Sequence, residues 1–152
     1  MTFSPTLATP RTLSNHALEM IASGLSCVVD TRPVRFRRGE TRRYTQMLDT
    51  PDYNAWLIAW APSAALEPHD HGGSRGVVQV VTGRLVESYV DPADPRPRSR
   101  VASSGETLEV PAHRIHEVWN PGPEVAISVH VYSPPLTSME FFELEREGMI
   151  AG

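Results

Sequence analysis

Three histidines at strand spacing constrain the fold of this chain more than any other feature. One residue separates His69 from His71, and His116 follows in a later segment that reads Pro-Ala-His-Arg-Ile-His-Glu-Val-Trp-Asn. Because side chains alternate between the two faces of a strand, His69 and His71 point to the same side. A curved sheet that brings His116 to the same point would complete one metal site. The histidines therefore predict a small β-barrel around a metal, which could be iron, zinc, copper or nickel because imidazole suits all four.

The composition narrows the classes of protein to which the chain can belong. Its 152 residues suit one domain with one core, and its net charge of -4 argues against a nucleic-acid partner. Six arginines between residues 32 and 43 form a basic run, which we interpret as a solvated edge strand. The single cysteine, Cys27, excludes a disulfide within the chain and fits a reducing compartment. No signal peptide or membrane span is recognisable, so we expect a cytoplasmic protein without a membrane partner.

One amphipathic helix is predicted near the N-terminus. Residues 1–11 have the character of a flexible lead-in, and residues 12–27 carry apolar side chains at helical spacing, with Thr12 or Ser14 as the N-cap. The apolar positions are Leu13, Ala17, Met20, Ile21 and Leu25.

Short strands joined by turns are predicted for the rest of the chain. After Asp30 the sequence changes to β-type patterns, and residues 82–84 (Thr-Gly-Arg) mark a hairpin. Residues 91–100, rich in Pro, Asp and Arg, are predicted as a surface loop, and residues 140–147 as either the end of the last strand or a short helix. The predicted strands are 42–48, 54–61, 76–81, 85–90, 107–110, 115–119, 125–132 and 139–144. Short strands at this regular spacing predict an all-β barrel or sandwich.

The two histidine segments together resemble the paired motifs of the cupin superfamily. The matching residues are His69, His71 and Gly83 in the first motif, and Gly105, Pro111, His116 and Asn120 in the second. The resemblance implies one cupin domain over residues 1–152, with a lead-in and helix over 1–30 and a jelly-roll barrel, or double-stranded β-helix, over 40–145. Gly76 takes the place of the usual glutamate, so three neutral ligands remain and about three metal positions stay open, as in non-haem Fe(II) oxygen chemistry.

Ser128, His130 and Tyr132 occupy alternate positions of one predicted strand and therefore share a face. If that face is the barrel interior, the three side chains form a hydroxyl–imidazole–phenol relay beside the metal, in which the phenol can donate to a bound oxygen or sulfur. The alternative is a polar face in contact with solvent. The apolar residues between them, among which are Val129 and Val131, can pack outward against the helix and favour the interior placement.

Over residues 42–140 the chain resembles the cysteine dioxygenase-type thiol dioxygenases. The residues that carry the resemblance are Tyr44-Thr45-Gln46, Trp60, 68–74, Gly83, His116, Asn120 and 128–135. The resemblance implies a mononuclear Fe(II) held by His69, His71 and His116. Tyr132 would orient a small-molecule thiol and O2, with His130 and Ser128 behind it. Both oxygen atoms are then added to the thiol sulfur, and the product is a sulfinic acid.

The resemblance also implies a monomer and a set of substrate contacts. Those contacts are Tyr44, Gln46, Arg43, Trp60 and Arg75. Family members that oxidise cysteine have an arginine where this chain has Gln46, and glutamine there is typical of relatives that prefer 3-mercaptopropionate. The turn at residues 133–135 (Ser-Pro-Pro) is the cysteine-type version, so L-cysteine is the expected substrate and 3-mercaptopropionate the alternative. The charge that Gln46 lacks could come from Arg42, Arg43 or Arg75.

Gly76 also occupies the position of a crosslinked cysteine in part of the family. In mammalian members a cysteine is crosslinked to the active-site tyrosine, and Gly76 stands at the position of that cysteine, so no thioether is expected.

A different cupin enzyme, such as a sugar isomerase or a flavonol-type dioxygenase, would need a carboxylate ligand, which Gly76 does not provide. Glu117 is predicted to point to the opposite strand face and is a poor substitute. A metal-binding cupin for sensing or storage, without catalysis, would keep the fold while losing ligands or the relay.

Overall fold

A computed structural model describes residues 11–145 and 148–151 of the chain. The described elements are α1 (Asn15–Ser26), β1 (Arg42–Asp49), β2 (Asn54–Trp60), β3 (Ala65–His69), β4 (Arg75–Thr82), β5 (Arg84–Asp91), β6 (Asp94–Ser103), β7 (Thr107–Val110), β8 (Ile115–Trp119), β9 (Ala126–Ser133), β10 (Phe142–Glu145) and β11 (Gly148–Ala151). Apart from Arg11, the predicted lead-in over residues 1–11 lies outside the described residues. No helix in the described part of the chain is long and apolar enough to cross a membrane.

Two antiparallel sheets face each other and form the barrel. Five strands lie in the order β1-β2-β9-β4-β7 and four in the order β3-β8-β5-β6, while β10 and β11 pair as a separate ribbon. Every pair of strands is antiparallel. This arrangement, preceded by α1, confirms the prediction of an all-β cupin jelly-roll with a short N-terminal helical segment.

Helix α1 covers the outer face of the five-stranded sheet. Ser14 is the N-cap, because its side-chain oxygen accepts a hydrogen bond at 3.2 Å from the backbone N–H three residues further on. Leu18 and Ala22 are fully buried against apolar side chains of β4 and β9. Met20, predicted on the apolar face, is 63% exposed, because the side of the helix that meets the sheet runs through Leu18 and Ala22.

The prediction of a surface loop over residues 91–100 is wrong, because most of this segment belongs to β6. Strand β6 pairs with β5 and lies at the edge of the four-stranded sheet. An edge strand leaves one row of N–H groups outside the ladder, so Pro95 and Pro97 are tolerated there. Asp94 pairs with Arg96 and Arg98 at the solvent surface, which accounts for the charged composition.

The C-terminal segment forms a ribbon of two short strands. Residues 142–145 pair with residues 148–151, so the alternative of a terminal helix over 140–147 is wrong for the first of these segments. Residues 146 and 147 of that prediction lie outside the described residues. Strand β3 was not among the predicted strands, although the spacing of His69 and His71 implied a strand at this point. Its five residues alternate too weakly to set its bounds.

The barrel interior changes from apolar to polar along its length. Along β9, the inward side chains run from Ala126 through Ser128 to His130 and Tyr132. The apolar end is filled from both sheets by Ile58, Trp60, Ala64, Val78, Val80, Leu85, Ala102, Leu108, Val110, Val118 and Ala126. The polar end contains the predicted metal ligands and therefore marks the candidate site.

Candidate metal centre

Three buried imidazoles meet inside the barrel. His69 ends β3 and pairs across the sheet with His116 of β8, while His71 lies just beyond the end of β3. The Nε2 atom of His116 is 3.0 Å from Nε2 of His69 and 3.2 Å from Nε2 of His71. All three residues are at most 2% exposed. The structure thus brings the three predicted ligands together, although His71 reaches the centre from a turn and not from the strand.

A tight turn positions His71. Gly72 has a φ of +58°, a left-handed conformation that favours glycine, and a Cβ there would lie 2.3 Å from Oγ of Ser138. The backbone N–H of Asp70 donates to the carbonyl of Glu140 at 2.9 Å. The carboxylate of Asp70 accepts from the N–H groups of Gly72 and Glu140. The segment after β9 therefore fixes the turn that carries His71.

Hydrogen bonds around the cluster decide which ring nitrogens carry protons. Nδ1 of His69 is 2.7 Å from the backbone carbonyl of Glu67, and Nδ1 of His116 is 2.7 Å from the carboxylate of Glu87. Both oxygens accept hydrogen bonds, so each Nδ1 carries the proton and each Nε2 presents a lone pair to the centre. Nδ1 of His71 has no partner within the described part of the chain.

The converging lone pairs fit a metal ion. Lone pairs at this separation repel one another unless a cation lies between them. Bonds of about 2.0–2.1 Å from a metal to imidazole nitrogens at right angles place those nitrogens about 3 Å apart, close to the two distances observed. Burial lowers the pKa of His69 to about 4 and also lowers the pKa values of His71 and His116, so the rings are neutral at pH 7. Three neutral imidazoles with inward lone pairs are a donor set for a divalent transition metal.

Gly76 leaves no room for a fourth ligand from β4. It pairs with Tyr132 of β9, and a Cβ at this position would lie 2.9 Å from the Tyr132 ring. A glutamate there, as in other cupins, would have to displace the ring. In the described part of the chain the cluster consists of the three histidines and includes no carboxylate. Cys27, the sole cysteine, is exposed at the C-terminal end of α1.

A buried carboxylate lies behind His116, at the ring nitrogen that faces away from the other two histidines. Glu87 of β5 is fully buried and accepts from His116 and, at 2.7 Å, from Nε of Arg100. Arg114 lies 3.6 Å from the same carboxylate. Burial raises the pKa of Glu87 above its usual value, and the charges of Arg100 and Arg114 offset part of that rise by favouring the ionised form. An anionic partner on Nδ1 fixes the orientation of the ring and makes Nε2 a stronger donor to a metal.

We predict that Glu87→Gln weakens metal binding by about 10- to 100-fold, as is usual when the partner of a ligand histidine is changed. The amide is nearly the same size, so the barrel should fold, but it no longer supplies the negative charge behind His116. Competition with a chelator under anaerobic conditions measures the change. Glu109→Gln is the control, because Glu109 is exposed on β7. Equal affinities in the two variants would contradict a supporting role for Glu87.

A chain of hydrogen bonds runs along the inner face of β9. Nε1 of Trp60 donates to Oγ of Ser128 at 2.9 Å, and Oγ is 2.7 Å from Nε2 of His130. Nδ1 of His130 is 3.2 Å from the Tyr132 hydroxyl. The serine, histidine and tyrosine predicted as a relay therefore lie in hydrogen-bonding contact in the interior and not on a solvated face.

The donors and acceptors give this chain a direction. Indole N–H can only donate, so Ser128 accepts from Trp60 and keeps its own proton for Nε2 of His130. Burial lowers the pKa of His130 to about 3, so the ring is neutral and its proton is on Nδ1, where it can donate to Tyr132. This assignment uses every donor of the chain of hydrogen bonds except the Tyr132 hydroxyl. The hydroxyl proton of Tyr132 is then free to point toward the metal centre.

An apolar cavity of about 440 Å³ opens beside the histidines. The Tyr132 ring lies on that of His71 with centroids 5.1 Å apart, and the Phe141 ring is 5.9 Å from that of His69. The cavity is lined by Arg42, Tyr44, Trp56, Ile58, Leu66, Glu67, Tyr132, Leu136, Met139 and Phe141. A ligand in this space would meet the metal centre at one end and mostly apolar walls elsewhere.

Of the five residues predicted to bind substrate, Tyr44 alone is among the described residues that line this cavity. Arg43 follows Arg42 on β1 and therefore faces the outer side of the sheet, where it pairs with Glu40 at 2.5 Å. Gln46 is exposed to solvent.

Trp60 and Arg75 also lie away from the cavity. Trp60 is fully buried in the apolar end of the barrel, where it contacts Ser128. Arg75 begins β4 beside the inward-facing Gly76, so it points outward, and its guanidinium is 3.5 Å from the carbonyl of Leu13. Both residues therefore support the surrounding structure.

Sequence reasoning missed three contributors to the site and left a fourth unresolved. Glu87, Trp56 and Phe141 were not considered, and Arg42 was one of three arginines named as a possible source of charge. Strand parity carries a signal for two of them. Glu87 lies two residues after the buried Leu85 and therefore shares its strand face. Trp56 lies two residues before the interior residue Ile58 on β2.

The sequence profile of the family Cysteine dioxygenase type I matches residues 30–145 of the chain. The chain is 25% identical over 124 residues to cysteine dioxygenase type 1 of Danio rerio and 26% identical over 114 residues to that of Rattus norvegicus. These alignments cover 72% and 66% of this chain. They cover 61% and 56% of the relatives, so the chain spans less than two thirds of their length.

Solved structures of other proteins share the fold. A protein with a double-stranded β-helix domain from Klebsiella pneumoniae superposes with a TM-score of 0.60 at 19% identity, covering 71% of this chain and 84% of that one. An oxalate oxidase superposes with a TM-score of 0.59 at 22% identity, covering 66% and 54% of the two chains. At these identities the superpositions establish the cupin fold alone. The matched profile, in contrast, spans the whole three-histidine barrel, and the chain belongs to the cysteine dioxygenase type I family.

Proposed function

We propose that the chain is a non-haem Fe(II) thiol dioxygenase, which adds both atoms of O2 to the sulfur of a small thiol carboxylate. The observation that carries the proposal is the set of three buried imidazoles whose Nε2 atoms converge without a carboxylate among the described residues. A ferrous ion held by His69, His71 and His116 would supply open positions for sulfur and dioxygen and would pass electrons between them. The reaction RSH + O2 → RSO2H balances without another reductant, because the sulfur supplies the electrons.

Three properties of the surrounding residues support this activity. Tyr132 is buried and its pKa is raised, so it stays a neutral phenol that can hold a proton at the edge of the centre. The chain of hydrogen bonds behind it orients that proton. The mostly apolar cavity beside the centre suits a small organic ligand.

We propose L-cysteine, converted to cysteine sulfinic acid, as the substrate, and 3-mercaptopropionate as the alternative. The resemblance of the turn after β9 to the cysteine-type family favours the former. The presence of Gln46 favours 3-mercaptopropionate. The location in the cytoplasm, the monomeric state and the organisation of residues 1–152 as a single domain stay predictions.

Oxygen uptake by iron-loaded protein tests the proposal. The protein is purified anaerobically, loaded with Fe(II) and mixed with L-cysteine or 3-mercaptopropionate in an oxygen-electrode cell. We expect one O2 consumed per thiol and a sulfinic acid, detected by mass spectrometry, that gains both atoms from 18O2. Fe(II) in buffer without protein is the control. Iron-loaded protein that consumes no oxygen with either thiol would favour a metal-binding cupin without catalysis.

A further inference from the structure

Arg42 is a half-buried cation without an ion-pair partner in the part of the chain that the structure describes. Its Nε and Nη1 atoms are shielded from solvent and have no hydrogen-bond partner among the residues that the structure describes. Other arginines named as possible sources of charge are satisfied, because Arg43 pairs with Glu40 and Arg75 reaches the carbonyl of Leu13. Guanidinium N–H groups are costly to bury unpaired, so a group left in this state points to a missing anionic partner.

The position of Arg42 places its charge inside the candidate active site. Arg42 begins β1, pairs across the sheet with Trp60 of β2 and lines the apolar cavity with Tyr44, over whose ring it lies at 5.4 Å. Two other walls of this cavity contact the cluster, because the Tyr132 ring lies on that of His71 and the Phe141 ring is 5.9 Å from that of His69. An anion bound to Arg42 would therefore lie in the cavity that opens beside the histidines.

A second unpartnered donor lines the same cavity. Nε1 of Trp56 is buried and has no hydrogen-bond partner in the described ranges. The remaining walls are mostly apolar side chains, among them Ile58, Leu66 and Phe141. Glu67, the one carboxylate in this lining, is exposed to solvent. A cavity with buried donors and apolar walls suits a ligand that combines acceptor oxygens with a short carbon chain.

We propose that Arg42, and not Gln46, binds the carboxylate of the thiol substrate. The inference rests on the proposed function, because it assigns the anionic group of that substrate. Two parallel N–H groups of a guanidinium match the two oxygens of a carboxylate, and the pairing fixes the far end of a molecule whose sulfur reaches the histidines. Gln46 lies on the same face of β1, opposite Trp56, but it is exposed and does not line the cavity, whereas Arg42 does.

Binding to the metal-free protein gives the first test. Tryptophan fluorescence is followed during titration with 3-mercaptopropionate or with cysteamine, a thiol of similar size that carries an amine and no carboxylate. We expect Arg42→Gln to weaken binding of 3-mercaptopropionate by about 10- to 100-fold and not to weaken binding of cysteamine. Arg43→Gln, which changes the neighbouring arginine on the outer face, should bind as the wild type does. Unchanged binding of 3-mercaptopropionate to Arg42→Gln would overturn the proposal, as would an equal loss with cysteamine.

Kinetics of the iron-loaded protein give the second test. In Arg42→Gln we expect KM for L-cysteine and 3-mercaptopropionate to rise by about 10- to 100-fold, with kcat within about threefold and iron content unchanged. Arg42→Lys should recover part of the affinity, because the charge returns without the fork of N–H groups. An equal fall in kcat for all thiols would overturn an anchoring role. If the wild type consumes no oxygen while the titration still depends on Arg42, the proposed function fails and the anion site stands.

Discussion

His116→Ala is expected to purify without metal and to consume no oxygen with any thiol. His116 is the ring whose Nε2 lies within 3.2 Å of Nε2 on both other histidines, so its removal leaves two donors on one side of the site. Two neutral imidazoles hold a ferrous ion too weakly to survive dialysis. The metal content after anaerobic loading and dialysis, measured by inductively coupled plasma mass spectrometry, should fall from about one ion per chain to below one tenth.

His113→Gly is the matched control for this variant. His113 lies in the same segment but is exposed, and its φ of +74° is one that glycine adopts without strain. The control should bind one metal ion and keep its activity. Circular dichroism on both proteins would show whether the barrel is intact. A full complement of iron in a folded His116→Ala would contradict the ligand set.

The ligands and the relay were predictable from the sequence because strand periodicity carries them. His116 lies in a recognisable motif, and Ser128, His130 and Tyr132 alternate along a strand whose other face is apolar. When one face of a strand is apolar, the placement of the other follows from the pattern alone. His71 lies at the expected place, but it is in the turn after β3 and not on a strand as its spacing from His69 suggested.

The substrate side was harder to predict because β1 is polar on both faces. Arg42 and Arg43 are adjacent, and a choice of parity decides which one enters the cavity. The sequence offers no apolar pattern to make that choice. In the structure Arg42 pairs with Trp60, whose side chain lies in the interior, so Arg42 is on the inner face and Arg43 on the outer face.

Glu87 shows a related limit. A glutamate within a strand is ordinarily read as solvent-exposed, and its burial here depends on Arg100 and Arg114, which reach it from β6 and from the turn before β8. These contacts join segments that are adjacent only in the folded barrel. Composition also misled the prediction for β6, where prolines and arginines suggested a loop although the edge of a sheet accepts both.

Tyr132→Phe is expected to keep the metal while losing most of the turnover. The phenyl ring retains its contact with His71, so the ligand cluster should stay in place. What is lost is one hydroxyl, which is the last donor in the chain that begins at Trp60. A positioned proton donor typically contributes 10²–10⁴-fold to a rate, so we expect turnover to fall by about 100-fold or more. Metal content, kcat and the ratio of sulfinic acid formed to oxygen consumed are the three measurements.

Tyr53→Phe is the matched control, because Tyr53 packs between the sheet and α1, away from the cavity, and should turn over at the wild-type rate. The three measurements separate the roles that Tyr132 could have. Full metal with slow turnover and a ratio below one indicates that the hydroxyl orients dioxygen and the sulfur. Loss of metal would instead mean that the ring supports His71 and that its proton is unimportant. Wild-type turnover with a ratio of one would remove Tyr132 from the mechanism and leave the chain of hydrogen bonds as a feature of the barrel's stability.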